Sequence, residues 1–102
     1  MTPEAKVKKK AKMVLDNLGA YHFSPLTGGY GNSGVPDIVA CYEGFFLGIE
    51  CKAGKGKTTL LQEHNLKRID ATGGFSVIVN ESNVEQLREL IQSWVNTVGI
   101  KT

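Results

Sequence analysis

Long apolar runs are missing from this sequence of 102 residues. No stretch approaches the roughly 18 to 20 apolar residues that span a bilayer, and the basic N-terminus lacks the apolar core of a signal peptide. These absences predict a cytoplasmic protein with no membrane partner. The length is typical of one domain, so we expect residues 1–102 to form a single domain.

Cysteine is also scarce, since Cys41 and Cys51 are the only two in the chain. Neither belongs to a CxxC motif or to a Cys/His cluster, which excludes a zinc site with the usual ligand spacing. Both fall in segments predicted as strands, where a free cysteine behaves as a small apolar residue. We therefore predict that both pack in the core.

Net charge is small, at +2, but the lysines are unevenly distributed. One group lies in the first dozen residues and another follows position 51, and such groups can bind phosphates. For the N-terminal group, a solvated helix face is an equally good interpretation. The candidate contacts to nucleic acid are Lys8, Lys9, Lys55, Lys57 and, by stacking on a base from a Gly-rich loop, Tyr30.

The hydrophobic pattern predicts an α/β protein with a mixed β-sheet flanked by helices. A capping box at Ser82 and Glu85 would begin the third helix. The continuous apolar run at 75–79 is typical of a buried central strand, parallel to the strand that ends near Cys51. The predicted helices cover 3–18, 59–72 and the segment after 82, and the predicted strands cover 20–24, 35–42, 45–52 and 75–79.

The predicted hairpin GVPDIVACYEGFFLGIECK, residues 34–52, carries one acidic residue in each of its strands, Asp37 and Glu50. If Glu43 and Gly44 form a two-residue turn, Asp37 lies directly opposite Glu50, where their like charges repel. A divalent cation between them would replace repulsion with coordination, and Mg²⁺ prefers carboxylate and carbonyl oxygens. The Cys51 carbonyl is a candidate third ligand.

Lys52 lies two residues after Glu50 and therefore points to the same side of the strand. There it can orient a water or stabilise negative charge on a phosphate. The alternative is structural: Glu50 and Lys52 would form an exposed ion pair, and Pro36-Asp37 would belong to a turn.

The spacing of these residues resembles the PD-(D/E)xK nuclease signature and, within it, the VRR-NUC branch. The similarity extends over about residues 3–80 and is strongest to the minimal stand-alone type found in phages and prophages. The matching features are Glu4 in the first helix, Gly34-Val35-Pro36-Asp37, Glu50-Cys51-Lys52, Gln62 and the GGFSVIV segment at 73–79.

This resemblance implies a restriction-endonuclease-like core and Mg²⁺- or Mn²⁺-dependent hydrolysis of DNA. Asp37 and Glu50 would be metal ligands and Lys52 the catalytic lysine. Glu4 would complete the acidic site, and Gln62 would orient the lysine or a phosphate. For both there is an alternative: Glu4 also suits the helix dipole, and Gln62 also fits a capping box with Thr59.

Stand-alone members of this branch resemble Holliday-junction resolvases in being symmetric dimers. The resemblance therefore implies a homodimer acting on branched DNA, in the host cytoplasm if a phage encodes it. The apolar face of the third helix or a sheet edge would form the dimer contact. Two alternatives stay open: a nuclease that prefers flaps or duplexes, and a DNA-binding module that has kept the fold without catalysis.

Overall fold

The computed structural model describes residues 1–26 and 34–100. Within these ranges four strands form one sheet and three α-helices pack around it. The elements are α1 (Pro3–Leu18), β1 (Tyr21–Phe23), β2 (Ile38–Tyr42), β3 (Phe45–Cys51), α2 (Leu60–Ala71), β4 (Phe75–Val79), a 3₁₀ turn (Val84–Gln86) and α3 (Leu87–Ile100).

The ends of α1 are determined by local chemistry. The Thr2 side chain accepts a hydrogen bond of 3.1 Å from the Ala5 N–H, and Pro3 occupies the first turn, where its missing N–H costs nothing. Gly19 ends the helix in the left-handed conformation, with φ of 76°. The predicted bounds of this helix are confirmed.

The hairpin turn has the geometry on which the placement of the acidic pair depends. Glu43 and Gly44 both have positive φ, 54° and 83°, as in a type I′ turn, which matches the twist of the two strands. Tyr42 pairs with Phe45, and Ile38 with Ile49. The predicted register of β2 and β3 is confirmed.

The sheet separates two layers of helix. The side chains of Leu47, Ile49 and Cys51 are fully buried with residues of α1 and α3. On the opposite face, Gly48 lies against Ile69 of α2, and a Cβ built on it would come within 2.5 Å of the Ile69 Cδ1 atom. The predicted mixed sheet flanked by helices is therefore confirmed.

The structure corrects the position predicted for β4. The strand order is β1-β2-β3-β4, so β4 pairs in parallel with β3 as predicted but lies at the sheet edge instead of its centre. Helices α2 and α3 both contact this edge strand, which explains most of its apolar sequence, although Ile78 is 40% exposed.

The outer edge of β4 is occupied by side chains. The Ser76 N–H donates to Asp70 Oδ1 at 3.1 Å, and Asn83 Nδ2 donates to the Ile78 carbonyl at 3.0 Å. These bonds satisfy backbone groups that would otherwise be available to a further strand. Another chain therefore cannot extend the sheet along β4 without breaking them.

Two further predictions were wrong. Cys51 is buried as expected, but Cys41 is exposed. Cys41 lies on β2 and points to the sheet face that carries α2, and α2 packs mainly on β3 and β4, so it does not cover Cys41. The Ser82 side chain does not cap a helix; its hydroxyl donates to Asn80 Oδ1 at 2.6 Å. Asn83 precedes the 3₁₀ turn without a side-chain capping bond.

None of the helices in the two described segments is both long and apolar enough to cross a membrane.

Candidate active site

The β2–β3 hairpin brings Asp37 and Glu50 together. Continuing the observed register by one pair beyond Ile38 and Ile49 places the two acids opposite each other. Their carboxyl groups are within hydrogen-bonding reach of each other. The sequence-based expectation for this pair therefore agrees with the geometry.

Among the described residues, Glu50 is the one charged residue whose side chain is buried, and only 1% of its surface is exposed. Its Oε2 atom is buried and has no hydrogen-bond partner. Burial raises the pKa of Glu50 to about 8, and the hydrogen bond and negative charge of Asp37 add to the effect. The Lys52 charge acts in the opposite direction.

Asp37 is held by the backbone of β3. Its Oδ2 atom accepts a hydrogen bond of 2.8 Å from the Cys51 N–H. The N–H and C=O of one strand residue point to the same side, so the Cys51 carbonyl also points toward β2. Pro36 would be opposite Cys51 in this register and has no N–H to offer that carbonyl.

Lys52 follows the last residue of β3 and is half-buried. Its backbone N–H donates to the Val79 carbonyl at 2.9 Å, which continues the parallel ladder by one residue and fixes the start of the side chain. Its charge lowers the pKa of Glu50, so the ammonium lies on the carboxylate side of the sheet.

Helix α1 contributes two residues one turn apart. Glu4 is exposed, and its negative charge makes a small contribution to the raised pKa of Glu50; its role in the site stays a prediction. Lys8 Nζ lies 3.8 Å from Asp37 Oδ1. The sequence assigned Lys8 to DNA binding, although its spacing of four from Glu4 is a signal for the same helix face.

Gln62 has a structural role in α2. Its Oε1 atom accepts a hydrogen bond of 2.9 Å from the Thr59 N–H, and its own N–H donates to Thr59 Oγ1 at 3.1 Å. This is a complete capping box, which confirms the capping alternative. The catalytic role of Gln62 stays a prediction.

The basic loop after β3 is anchored by a residue that the sequence did not single out. The Gly54 N–H donates to both carboxylate oxygens of Glu81 at 3.0 Å. Hydrogen bonds from two backbone N–H groups, those of Glu81 itself and of Gly54, lower the pKa of the Glu81 carboxyl. Lys55 and Lys57 are exposed on this loop, and Lys9 is exposed on α1. Tyr30 lies outside the described residues.

The donor set fits a hard divalent cation. Within residues 1–26 and 34–100 no three His, Cys, Asp or Glu residues cluster closely enough to hold an ion by themselves. An ion would use the Asp37–Glu50 pair, the Cys51 carbonyl and water molecules, which suits Mg²⁺ because it retains several waters when bound to protein. The buried Oε2 of Glu50, which has no hydrogen-bond partner, would be available to such an ion.

The fold is an α/β fold with a four-stranded mixed sheet between helices. It is similar to a solved structure described as "VRR_NUC domain", with a TM-score of 0.60 and 23% sequence identity over 87% of this chain and 97% of that one. The predicted resemblance is confirmed at the level of the fold. No protein-family model matches the chain, and a search of curated proteins gives no significant match.

Proposed function

We propose that this protein is a Mg²⁺- or Mn²⁺-dependent endodeoxyribonuclease that hydrolyses phosphodiester bonds in branched DNA in the cytoplasm. The observation that carries the proposal is the buried carboxyl of Glu50 beside Asp37, with one oxygen unpartnered. Burying an acid against another acid costs stability. A divalent cation bound by both carboxylates would offset that cost and explain why the fold keeps the pair.

Each residue then has a defined task. Asp37, Glu50 and the Cys51 carbonyl would hold the metal, which when bound would supply Lewis acidity and lower the pKa of its bound water. The Lys52 ammonium orients the attacking water or stabilises the negative charge that develops on the phosphate. Glu4 completes the acidic side of the site.

The exposed lysines provide the DNA contacts in this proposal. Lys55 and Lys57 are exposed on a loop that Glu81 anchors close to the end of β3, and in this proposal they would hold the DNA backbone beside the scissile phosphate. Lys9 extends the positive surface along α1. Such contacts make binding salt-sensitive and independent of base sequence.

We also propose that a second copy of the chain packs on an open sheet face, defined as Tyr21, Phe23, Cys41 and Phe46. His22 points toward α1 through its contact of 2.7 Å with Asp16, so its neighbours Tyr21 and Phe23 point to the opposite face. Tyr21, Cys41 and Phe46 are cross-strand neighbours, and the three aromatic residues are 47–72% exposed.

Other surfaces offer less to a second copy. The apolar residues Val84, Leu87 and Ile91 of the C-terminal segment are buried in the chain's own core, and the β4 edge is occupied by Asp70 and Asn83. The open sheet face, by contrast, is a contiguous exposed apolar surface, and such surfaces mark interaction sites. A symmetric pair of active sites is the arrangement that cuts two strands of a junction.

The decisive experiment is a cleavage assay on matched four-way junction, flap, duplex and single-stranded DNA, with Mg²⁺, Mn²⁺ or EDTA. The variants are Lys52→Ala and, as the matched control, Lys67→Ala, which removes an exposed lysine of α2. We expect metal-dependent cutting that favours the junction, is lost in Lys52→Ala and is retained in the control.

Other results would change the proposal. Metal-dependent cutting without junction preference would keep the site and replace the substrate with flaps or duplexes. Tight DNA binding with no cutting under any condition would favour the non-catalytic DNA-binding module. Full activity of Lys52→Ala would remove Lys52 from the mechanism.

A further inference from the structure

Lys8 occupies the entrance to the carboxylate pair. Its Nζ atom is 3.8 Å from Asp37 Oδ1, while the other oxygen of Asp37 is held by the Cys51 N–H. The Lys8 and Asp37 side chains are 33% and 25% exposed, so this contact lies between the interior and the solvent. The neighbouring Lys9 is exposed and gives a useful comparison on the same helix.

The contact is an ion pair without a tight hydrogen bond. N–H···O bonds in proteins cluster at about 2.9 Å, and the distance here is 3.8 Å. The ammonium therefore compensates the charge of Asp37 without being locked to it. A loosely held side chain with four rotatable carbons can move away when a stronger ligand arrives.

Charge balance explains why an ammonium rests there. Asp37 lies beside Glu50, the negative charge of Glu4 also acts on Glu50, and Lys52 provides positive charge near Glu50. Lys8 provides positive charge on the Asp37 side. A divalent cation held by Asp37 and Glu50 would take over the charge that Lys8 neutralises, and it would compete for the same Asp37 Oδ1 atom.

We infer that Lys8 is a resident counter-cation: it neutralises Asp37 in the metal-free protein, is displaced when a divalent metal binds, and then contacts a DNA phosphate at the site. This inference rests on the proposed function. It gives one residue two successive partners of the same charge, first a carboxylate and then a phosphate. The Asp37 carboxylate thereby has a counter-charge before metal arrives.

The test compares Lys8→Met, which keeps the length of the side chain and removes its charge, with Lys9→Met as the matched control. Mn²⁺ affinity is measured by calorimetry on the DNA-free protein, and cleavage kinetics are measured at saturating Mn²⁺. Partly exposed ion pairs contribute about 0.2–1 kcal/mol, so Lys8→Met should bind Mn²⁺ about 1.4- to five-fold more tightly. Its KM for DNA should rise, and Lys9→Met should leave Mn²⁺ affinity unchanged.

The outcomes separate this inference from the function on which it rests. Normal metal binding and cleavage by the natural protein, with unchanged Mn²⁺ affinity in Lys8→Met, would overturn the counter-cation role and leave the nuclease in place. Tighter Mn²⁺ binding with an unchanged KM would overturn the phosphate contact. Absence of both metal binding and cleavage in the natural protein would overturn the proposed function and this inference with it. Far-UV circular dichroism verifies that each variant is folded.

Discussion

Asp37 and Glu50 lie opposite each other across the β2–β3 hairpin, although both side chains are acids. Burial of Glu50, together with its interaction with Asp37, raises the pKa of Glu50 to about 8. Without a metal, the pair is therefore a source of instability at alkaline pH. The arrangement sacrifices stability at the position where the proposed chemistry takes place.

The first prediction concerns pH and the Glu50→Gln variant. Below pH 4.5 the Glu50 carboxyl is protonated in both the folded and the unfolded chain; between 4.5 and about 8 the unfolded chain loses this proton while the folded chain keeps it. The free energy of unfolding of the metal-free protein should therefore fall across this range, by at most about 5 kcal/mol. Glutamine cannot ionise, so Glu50→Gln should have the higher Tm at pH 8.

Thermal unfolding in EDTA, measured from pH 5 to 9, checks this prediction. Addition of Mg²⁺ should raise the Tm of the natural protein and leave that of Glu50→Gln almost unchanged, because the variant lacks one of the two carboxylate ligands. Equal pH profiles for the two proteins would show that Glu50 does not titrate in this range.

The second prediction concerns Gly34, which begins the segment that carries Asp37. Gly34 has φ of +75°, and an added Cβ would lie 2.8 Å from the backbone carbon of Leu61 in the first turn of α2. Gly34→Ala should therefore lower the free energy of unfolding by about 2–4 kcal/mol through strain and a backbone clash.

Gly19→Ala is the matched control for this substitution. Gly19 has nearly the same φ, +76°, but an added Cβ would meet no atom within 4 Å. It should cost about 1–2 kcal/mol from the left-handed conformation alone. Urea unfolding of both variants gives the difference, which measures the packing of Gly34 on α2; equal losses would mean that packing contributes nothing.

The sequence was sufficient where one local rule determines the result. Thr2, Pro3 and Gly19 define α1, and the Glu43-Gly44 turn sets the register that pairs Asp37 with Glu50. These features depend on residues close together in the chain. The parallel pairing of β3 with β4 follows from the helix that connects them.

The errors arose where the result depends on tertiary packing. An apolar run has the same pattern whether strands or helices surround it, so the sequence placed β4 at the centre of the sheet. The strand that contains Cys41 was predicted correctly, but the exposure of Cys41 depends on how far α2 extends across the sheet. Lys8 belongs to a run of similar lysines, and only the packing angle of α1 decides which of them reaches Asp37.

The third prediction concerns the anchored basic loop. Glu81→Ala removes the acceptor of the Gly54 N–H and should release the loop that carries Lys55 and Lys57. DNA affinity should fall about two- to five-fold, because ordering these lysines would then have to occur on binding. Metal affinity should not change, since Glu81 is not one of the proposed ligands.

Hydrogen exchange and DNA titration check the loop prediction together. The Gly54 amide should exchange faster in Glu81→Ala than in Glu85→Ala, a control that removes an exposed acid paired at 3.8 Å with Lys10. Unchanged exchange at Gly54 would mean that the Glu81 contact does not order the loop in solution.

The last prediction concerns the open sheet face. Replacing both Tyr21 and Phe23 by serine removes two aromatic side chains that are 72% and 50% exposed and lie in edge-to-face contact, with ring centroids 6.2 Å apart. Because both point away from the core, the double variant should keep its fold while shifting the protein from dimer to monomer at micromolar concentration. Light scattering coupled to size exclusion measures the mass directly.

Leu90→Ser, which alters a residue of α3 that is 40% exposed, should remain dimeric. A natural protein that is monomeric throughout would refute the proposed self-association. A dimer that persists in the double variant would place the interface on another surface.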